Sequence, residues 1–126
     1  MPVLLWVALG GALGSAARYS VNVWSGRVLG SDFPWHTLIV NLAGCFAMGA
    51  LTALMALKLN VGQEIRAFLT TGILGGFTTF SAFSLDFALL VERKSFLAAG
   101  AYAAGSVLFS LAAVFAGLHL VRAILQ

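Results

Sequence analysis

Charge is scarce in this sequence. Of 126 residues only 7 are Lys or Arg and 4 are Asp or Glu, which makes 9% charged. An ordinary soluble domain carries about 25%. The basic residues stand singly and form no stripe that could follow a phosphate backbone, so nucleic acid is excluded as a partner. A single cysteine, Cys45, permits neither an intrachain disulfide nor a cysteine-based metal site. No nucleophile–base pair, HExxH motif or phosphate-binding loop is present, and no linker or soluble domain is left over to carry catalysis. An enzyme is therefore excluded.

Apolar residues fill the space that charge leaves. They make up 61% of the chain, and the mean hydropathy is +1.02. A water-soluble globule of this size cannot hide so much apolar surface. Disorder is excluded by the same figures. The chain reads as an integral membrane protein. A spanning helix needs about 20 mainly apolar residues. Pro2–Ala17 is uncharged, and only Arg18 interrupts the stretch to Gly26; Leu38–Leu57, Ala67–Leu85 and Ser95–Val121 are also uncharged runs. These predict four transmembrane helices in one domain over residues 1–126. Met1–Leu5 lacks the basic start of a cleaved signal peptide, so the first run is read as a retained helix. Trp24, Trp35 and Tyr19 fall where an interfacial aromatic belt would lie.

The loops do not choose an orientation. The first and third carry Arg27, Arg93 and Lys94; the opposite side carries Lys58, Arg66 and Arg122. Loop Lys and Arg normally mark the cytoplasmic side. Three against three is compatible with a weak bias set by the first helix, or with a chain that inserts both ways and pairs antiparallel with itself. Four helices leave little room for a pore, so transport calls for an oligomer, and a two-fold dimer is the commonest. Two GxxxG pairs, Gly10 with Gly14 and Gly72 with Gly76, supply surfaces for close helix approach.

Chemistry concentrates on the third run. Gly75-Gly76 followed by Thr78-Thr79 is poor helix-forming material. A break at Gly75–Thr78 frees backbone carbonyls that lipid cannot satisfy. A hard cation such as Na⁺ is one partner for such oxygens; the other reading is a glycine packing face with hydroxyls bonded back to the helix. Phe80 and Phe83 share a helix face. Their rings carry positive edges that suit a small anion. Asn41 lies on the face of Thr37 in the second run and brings two N–H donors. Tyr102, Ser106 and Ser110 recur every four residues on the fourth. Neutral donors suit a permeation path, because the ion must also leave. Each also has a packing explanation, through interhelical bonds or back-bonded serines. Arg18 and Asp86 are the intramembrane charges, functional candidates unless they reach an interface. His119 and Cys45 read as structural.

The run Thr71-Gly72-Ile73-Leu74-Gly75-Gly76-Phe77-Thr78-Thr79-Phe80-Ser81-Ala82-Phe83-Ser84 resembles the third-helix signature of the Fluc (CrcB) fluoride channels. Thr37-Leu38-Ile39-Val40-Asn41 and Gly14-Ser15-Ala16-Ala17-Arg18 are similar to the second- and first-helix motifs of that family. The resemblance implies an antiparallel, dual-topology homodimer in a cell membrane, of the bacterial inner-membrane type. It implies fluoride export through paths lined by Asn41, Phe80 and Phe83, with Thr37, Thr79, Tyr102, Ser106 and Ser110 along them. It implies a structural Na⁺ at the dimer interface on the carbonyls of Gly75 and Thr78, and it makes Arg18 a vestibule residue. Asp86 stands where the family pattern has Glu, His36 where Gly is common, and Ala82 where a hydroxyl residue is usual. The alternative is a small dual-topology multidrug/proton antiporter, which wants a carboxylate on the first helix, where this chain has only Arg18. A non-transporting subunit is the third class.

Overall fold

The structure is a computed structural model that describes all residues, Met1–Gln126. It is helical, with no strand. The elements are α1 (Val3–Val28), α2 (Trp35–Leu57), α3 (Gln63–Ala67), a π-helical segment (Phe68–Leu74), α4 (Gly75–Phe77), α5 (Ser81–Glu92) and α6 (Phe96–Leu125). From α3 to α4 the chain forms one continuous rod.

Three helical units are both long and apolar enough to cross a membrane: Trp35–Leu57, the composite Gln63–Glu92, and Phe96–Leu125. The sequence predicts four. The difference lies in α1, which has 26 residues. At a rise of about 1.5 Å per residue it matches the others in length. Ser15, Arg18, Ser20, Asn22 and Ser25 dilute its apolar character.

Helix ends follow local chemistry. Beyond α1, Gly30 takes φ +80, the left-handed conformation that glycine adopts without a steric penalty. Pro34 precedes α2, with φ already fixed near helical values. After α5, Ser95 N–H reaches back to Leu90 O at 2.9 Å and Lys94 N–H to Val91 O at 2.9 Å. This bond pattern normally wants glycine in the left-handed position. Here Lys94 holds it, at φ 60.

Glycine governs how the helices meet. α1 lies against the π segment and α4, and α2 lies along α6. A Cβ on Gly10 would stand 2.8 Å from Gly72 Cα, and one on Gly76 would stand 2.7 Å from Gly11 O. The two GxxxG pairs therefore face one another, backbone to backbone. A second close approach joins α2 and α6, where a Cβ on Gly49 would collide with Val114 O and one on Gly117 with Phe46 O. Small residues serve the same purpose in membrane helices generally, by bringing whole backbones into dispersion contact.

The interior is thin, with 16 of 126 residues buried. Its one cluster joins Leu90, Ala99 and Tyr102, with Phe33, Leu38 and Phe83 packed on it. Outside, Leu97 is 89% exposed, and Leu4, Leu108 and Ile124 are also exposed. In water such a surface would aggregate. In lipid it is the solvated face. Tyr19, Trp24 and Trp35 are exposed, and Trp24 and Trp35 flank the α1–α2 loop, where interfacial anchors lie.

Two substitutions test these devices by thermal unfolding in detergent. Lys94→Gly relieves the left-handed residue and stabilises by about 1 kcal/mol. Gly117→Val forces α6 off α2 and destabilises by about 3 kcal/mol.

Candidate functional site

The helical rod ends at Phe77, because Thr78 takes an extended conformation (φ −88, ψ 157). Helix resumes only at Ser81. In a membrane every polar backbone group between those points needs a protein partner. Asn41 supplies two of them. Its Oδ1 accepts the Thr79 N–H at 2.8 Å, and its Nδ2 donates to Thr79 O at 3.0 Å. One side-chain amide thus pairs both backbone groups of one residue, as a neighbouring strand would.

Other groups close the remaining ends. Thr79 Oγ1 accepts the Ala82 N–H at 3.2 Å and so satisfies one open donor in the first turn of α5. Thr78 N–H and Thr78 Oγ1 both donate to Leu74 O, at 3.0 and 2.9 Å. Arg18 reaches across from α1, its Nε donating to Gly76 O at 3.1 Å. A cation at the carbonyl end of a helix is favourable for the helix dipole. These bonds divert donors from two carbonyls. A continuing helix would aim Thr79 N–H at Gly75 O and Ala82 N–H at Thr78 O. Both donors go elsewhere, and no turn or loop backbone bond ends on either oxygen.

A groove of about 500 Å³ lies beside this segment. Asn41, Gly75, Thr78, Thr79, Phe80, Phe83, Ser106 and Ser110 all line it. Helices α2, α4, α5 and α6 and the extended link bring them together. Phe80 is 76% exposed, and its ring sits 5.5 Å from that of Phe83, tilted by 41°. The Ser106 hydroxyl is buried and has no hydrogen-bond partner. Cys45, one turn beyond Asn41, also faces the groove. Its apolar neighbours in the sequence suggest a structural residue; its spacing from Asn41 is the signal that points to the groove instead.

Thr37 and Tyr102 lie outside the groove walls. Thr37 Oγ1 and Tyr102 OH both donate to Asp86 Oδ2, at 2.7 and 3.1 Å. Both are fully buried. The Tyr102 ring lies 5.1 Å from that of Phe83, so this cluster abuts the groove through one aromatic contact. The regular spacing of Tyr102, Ser106 and Ser110 therefore serves two neighbouring places. Arg18 lies on α1 at the carbonyl end of α4 and is not in the groove. A feature without a signal in the composition is the seven-residue π segment, Phe68–Leu74, which widens the rod just before the glycine pair. π turns inside α-helices are rare and often adjoin functional sites.

A family model described as "CrcB-like protein, Camphor Resistance (CrcB)" matches residues 5–118. The chain belongs to the CrcB family. Three relatives illustrate how close the match is. The chain is 54% identical over 120 residues to a protein of Rhizobium etli, covering 95% of this chain and 96% of the relative. It is 54% identical over 122 residues to one of Rhodospirillum centenum, covering 97% of each. It is 54% identical over 116 residues to one of Agrobacterium fabrum, covering 92% of this chain and 93% of the relative. All three bear the name fluoride-specific ion channel FluC. As a CrcB protein with three apolar spans, the chain is a multi-pass bacterial membrane protein.

Removing the Asn41 amide tests its structural role in this CrcB protein. Asn41→Leu leaves the Thr79 N–H and C=O unpaired and destabilises by about 2–4 kcal/mol. Asn41→Asp keeps the acceptor, loses the donor and brings a charge. Thermal unfolding in detergent checks both; an unchanged midpoint for the leucine variant overturns this account of the extended segment.

Proposed function

We propose that this chain is a fluoride-selective channel that lets cytoplasmic fluoride leave passively and so confers fluoride resistance. One observation carries the reading. The groove assembles neutral hydrogen-bond donors and two phenylalanine rings around one segment, in a chain 54% identical to proteins named fluoride-specific ion channels.

A small anion sheds its water only if other donors replace it. The Asn41 amide has a second N–H beyond the one held by Thr79 O, and the Ser106 hydroxyl is free. Ser110 and Thr79 add hydroxyls to the groove lining. Phe80 and Phe83 both line the groove, and the edges of their rings carry partial positive charge. None of these groups is a full charge, which keeps binding weak enough for release. The membrane potential contributes about 2.3 kcal/mol per charge per 100 mV toward expelling an anion from a negative interior.

The groove is open along the side of the chain, so a closed path needs a second wall. In the proposed assembly a second copy, inserted the other way, supplies it. The even split of loop cations agrees with that arrangement, and α1 makes the fourth crossing. The diverted carbonyls of Gly75 and Thr78 fit a hard cation by their chemistry, since Na⁺ takes oxygen ligands. Na⁺ bound there supplies a fixed positive charge at the interface. Thr37 and Tyr102 belong to the outer part of the path through Asp86, and Arg18 makes the adjoining vestibule positive. The antiporter reading finds no acid on α1, and Asp86, the only intramembrane acid, is already held by two hydroxyls.

Proteoliposomes loaded with fluoride or chloride, with Na⁺ present, test the reading. Fluoride leaves rapidly and chloride is retained. Phe80→Ile and Phe83→Ile each slow fluoride efflux by about tenfold, equal to about 1.4 kcal/mol of barrier, while the protein remains folded. Equal release of both anions, or of neither, rejects the assignment.

A further inference from the structure

A second pocket, of about 190 Å³, lies between the C-terminal part of α1, the α1–α2 loop, the start of α2 and the end of α5. Apart from Asp86, its polar walls take no part in the proposed conduction path. These hold Asn22, Ser31, His36, Asp86 and Arg93, against the apolar Phe33.

The charges around the pocket nearly balance. α5 contributes Asp86 and, at its C-terminal cap, Arg93; the two cancel formally. α1 contributes only the neutral Asn22, and the first turn of α2 contributes His36. Asp32 is on the same loop but not among the walls. The net charge is therefore zero with a neutral imidazole and +1 with a protonated one. Histidine is the side chain whose ordinary titration falls between about pH 5 and pH 8. A walled cleft with low-dielectric sides focuses such a charge and raises the local concentration of its counter-ion.

The pocket is also continuous with the groove by contact. Asp86 forms part of its wall and accepts a hydrogen bond from Tyr102, whose ring packs on Phe83, and Phe83 lines the groove. An ion held in the pocket is separated from the groove by that aromatic contact.

We propose that this pocket is a docking site for a small, still partly hydrated anion, with Arg93, Asn22 and Ser31 as fixed donors and His36 as a donor and charge that protonation switches on. The inference rests on the fluoride-channel reading and adds proton-dependent capture at the mouth of the path. Fluoride is then taken up more readily from an acidic compartment than from a neutral one.

The test is fluoride current through the full-length protein in planar bilayers, at sub-saturating fluoride and equal pH on both sides. Current is the right readout, because neutral hydrogen fluoride crosses lipid without carrying charge. Wild-type current at about pH 5.5 exceeds that at about pH 8 by about threefold to tenfold. In His36→Gln the ratio falls to about one. In His36→Lys it also falls to about one, with both currents at the upper level. A wild-type current independent of pH, or a His36→Gln protein that keeps the wild-type profile, overturns the docking site and leaves the channel reading standing. Should His36→Gln fail to fold, a His36→Lys current that keeps the wild-type pH dependence overturns the docking site in its place. Absence of fluoride current at both pH values overturns the channel reading itself.

Discussion

The rest of the site depends on the pairing of the Asn41 amide with the backbone of Thr79. A chain in lipid cannot leave an N–H or a carbonyl open without a cost of several kcal/mol. Helices avoid the problem by pairing internally. An extended segment can exist only where a side chain substitutes for the missing turn. Asn is the shortest side chain that offers both a donor and an acceptor in one plane. Once it holds Thr79, Thr78 can stay extended, and α5 can restart with its first turn capped. Phe80 and Phe83 then line the same groove as Ser106 and Ser110. Arg18 supports the same segment from the other side, through Gly76 O.

Close glycine contacts make this geometry reachable. The rod must lie deep against α1 for Arg18 to touch Gly76, and the facing pairs Gly10–Gly72 and Gly11–Gly76 allow it. On the far side Gly49 and Gly117 let α2 and α6 approach as one unit. The protein thus consists of two tightly fitted helix pairs. α5 follows the interrupted segment and packs on α6 and α2. The interior is thin because each pair needs little more than backbone contact, and apolar side chains are left to face lipid.

Legibility in the sequence follows the range of each interaction. Long uncharged runs are local signals, and the helices fall on them. The GxxxG pairs are readable as packing surfaces because spacing alone identifies them. Gly49 and Gly117 are not, since each is isolated in its helix and acquires meaning only from the other. The Asn41–Thr79 pairing, the Thr37–Asp86–Tyr102 cluster and the Arg18 contact join residues far apart in the chain, and no pattern of apolar and polar positions announces them. The weaker apolar character of α1 is visible in its Ser, Arg and Asn residues, yet run length alone places it with the others. The π segment gives no sign in composition, because its residues differ little from those of an ordinary helix turn.

Cys45 opens a practical route to the groove. It is the sole thiol of the chain and is only partly buried, one turn from Asn41. A maleimide dye or a nitroxide attached there would report directly on local wetting and mobility, without engineering a reactive residue or removing competing ones. A native label position of this kind allows spectroscopy on the unaltered sequence, with the groove itself as the observed object.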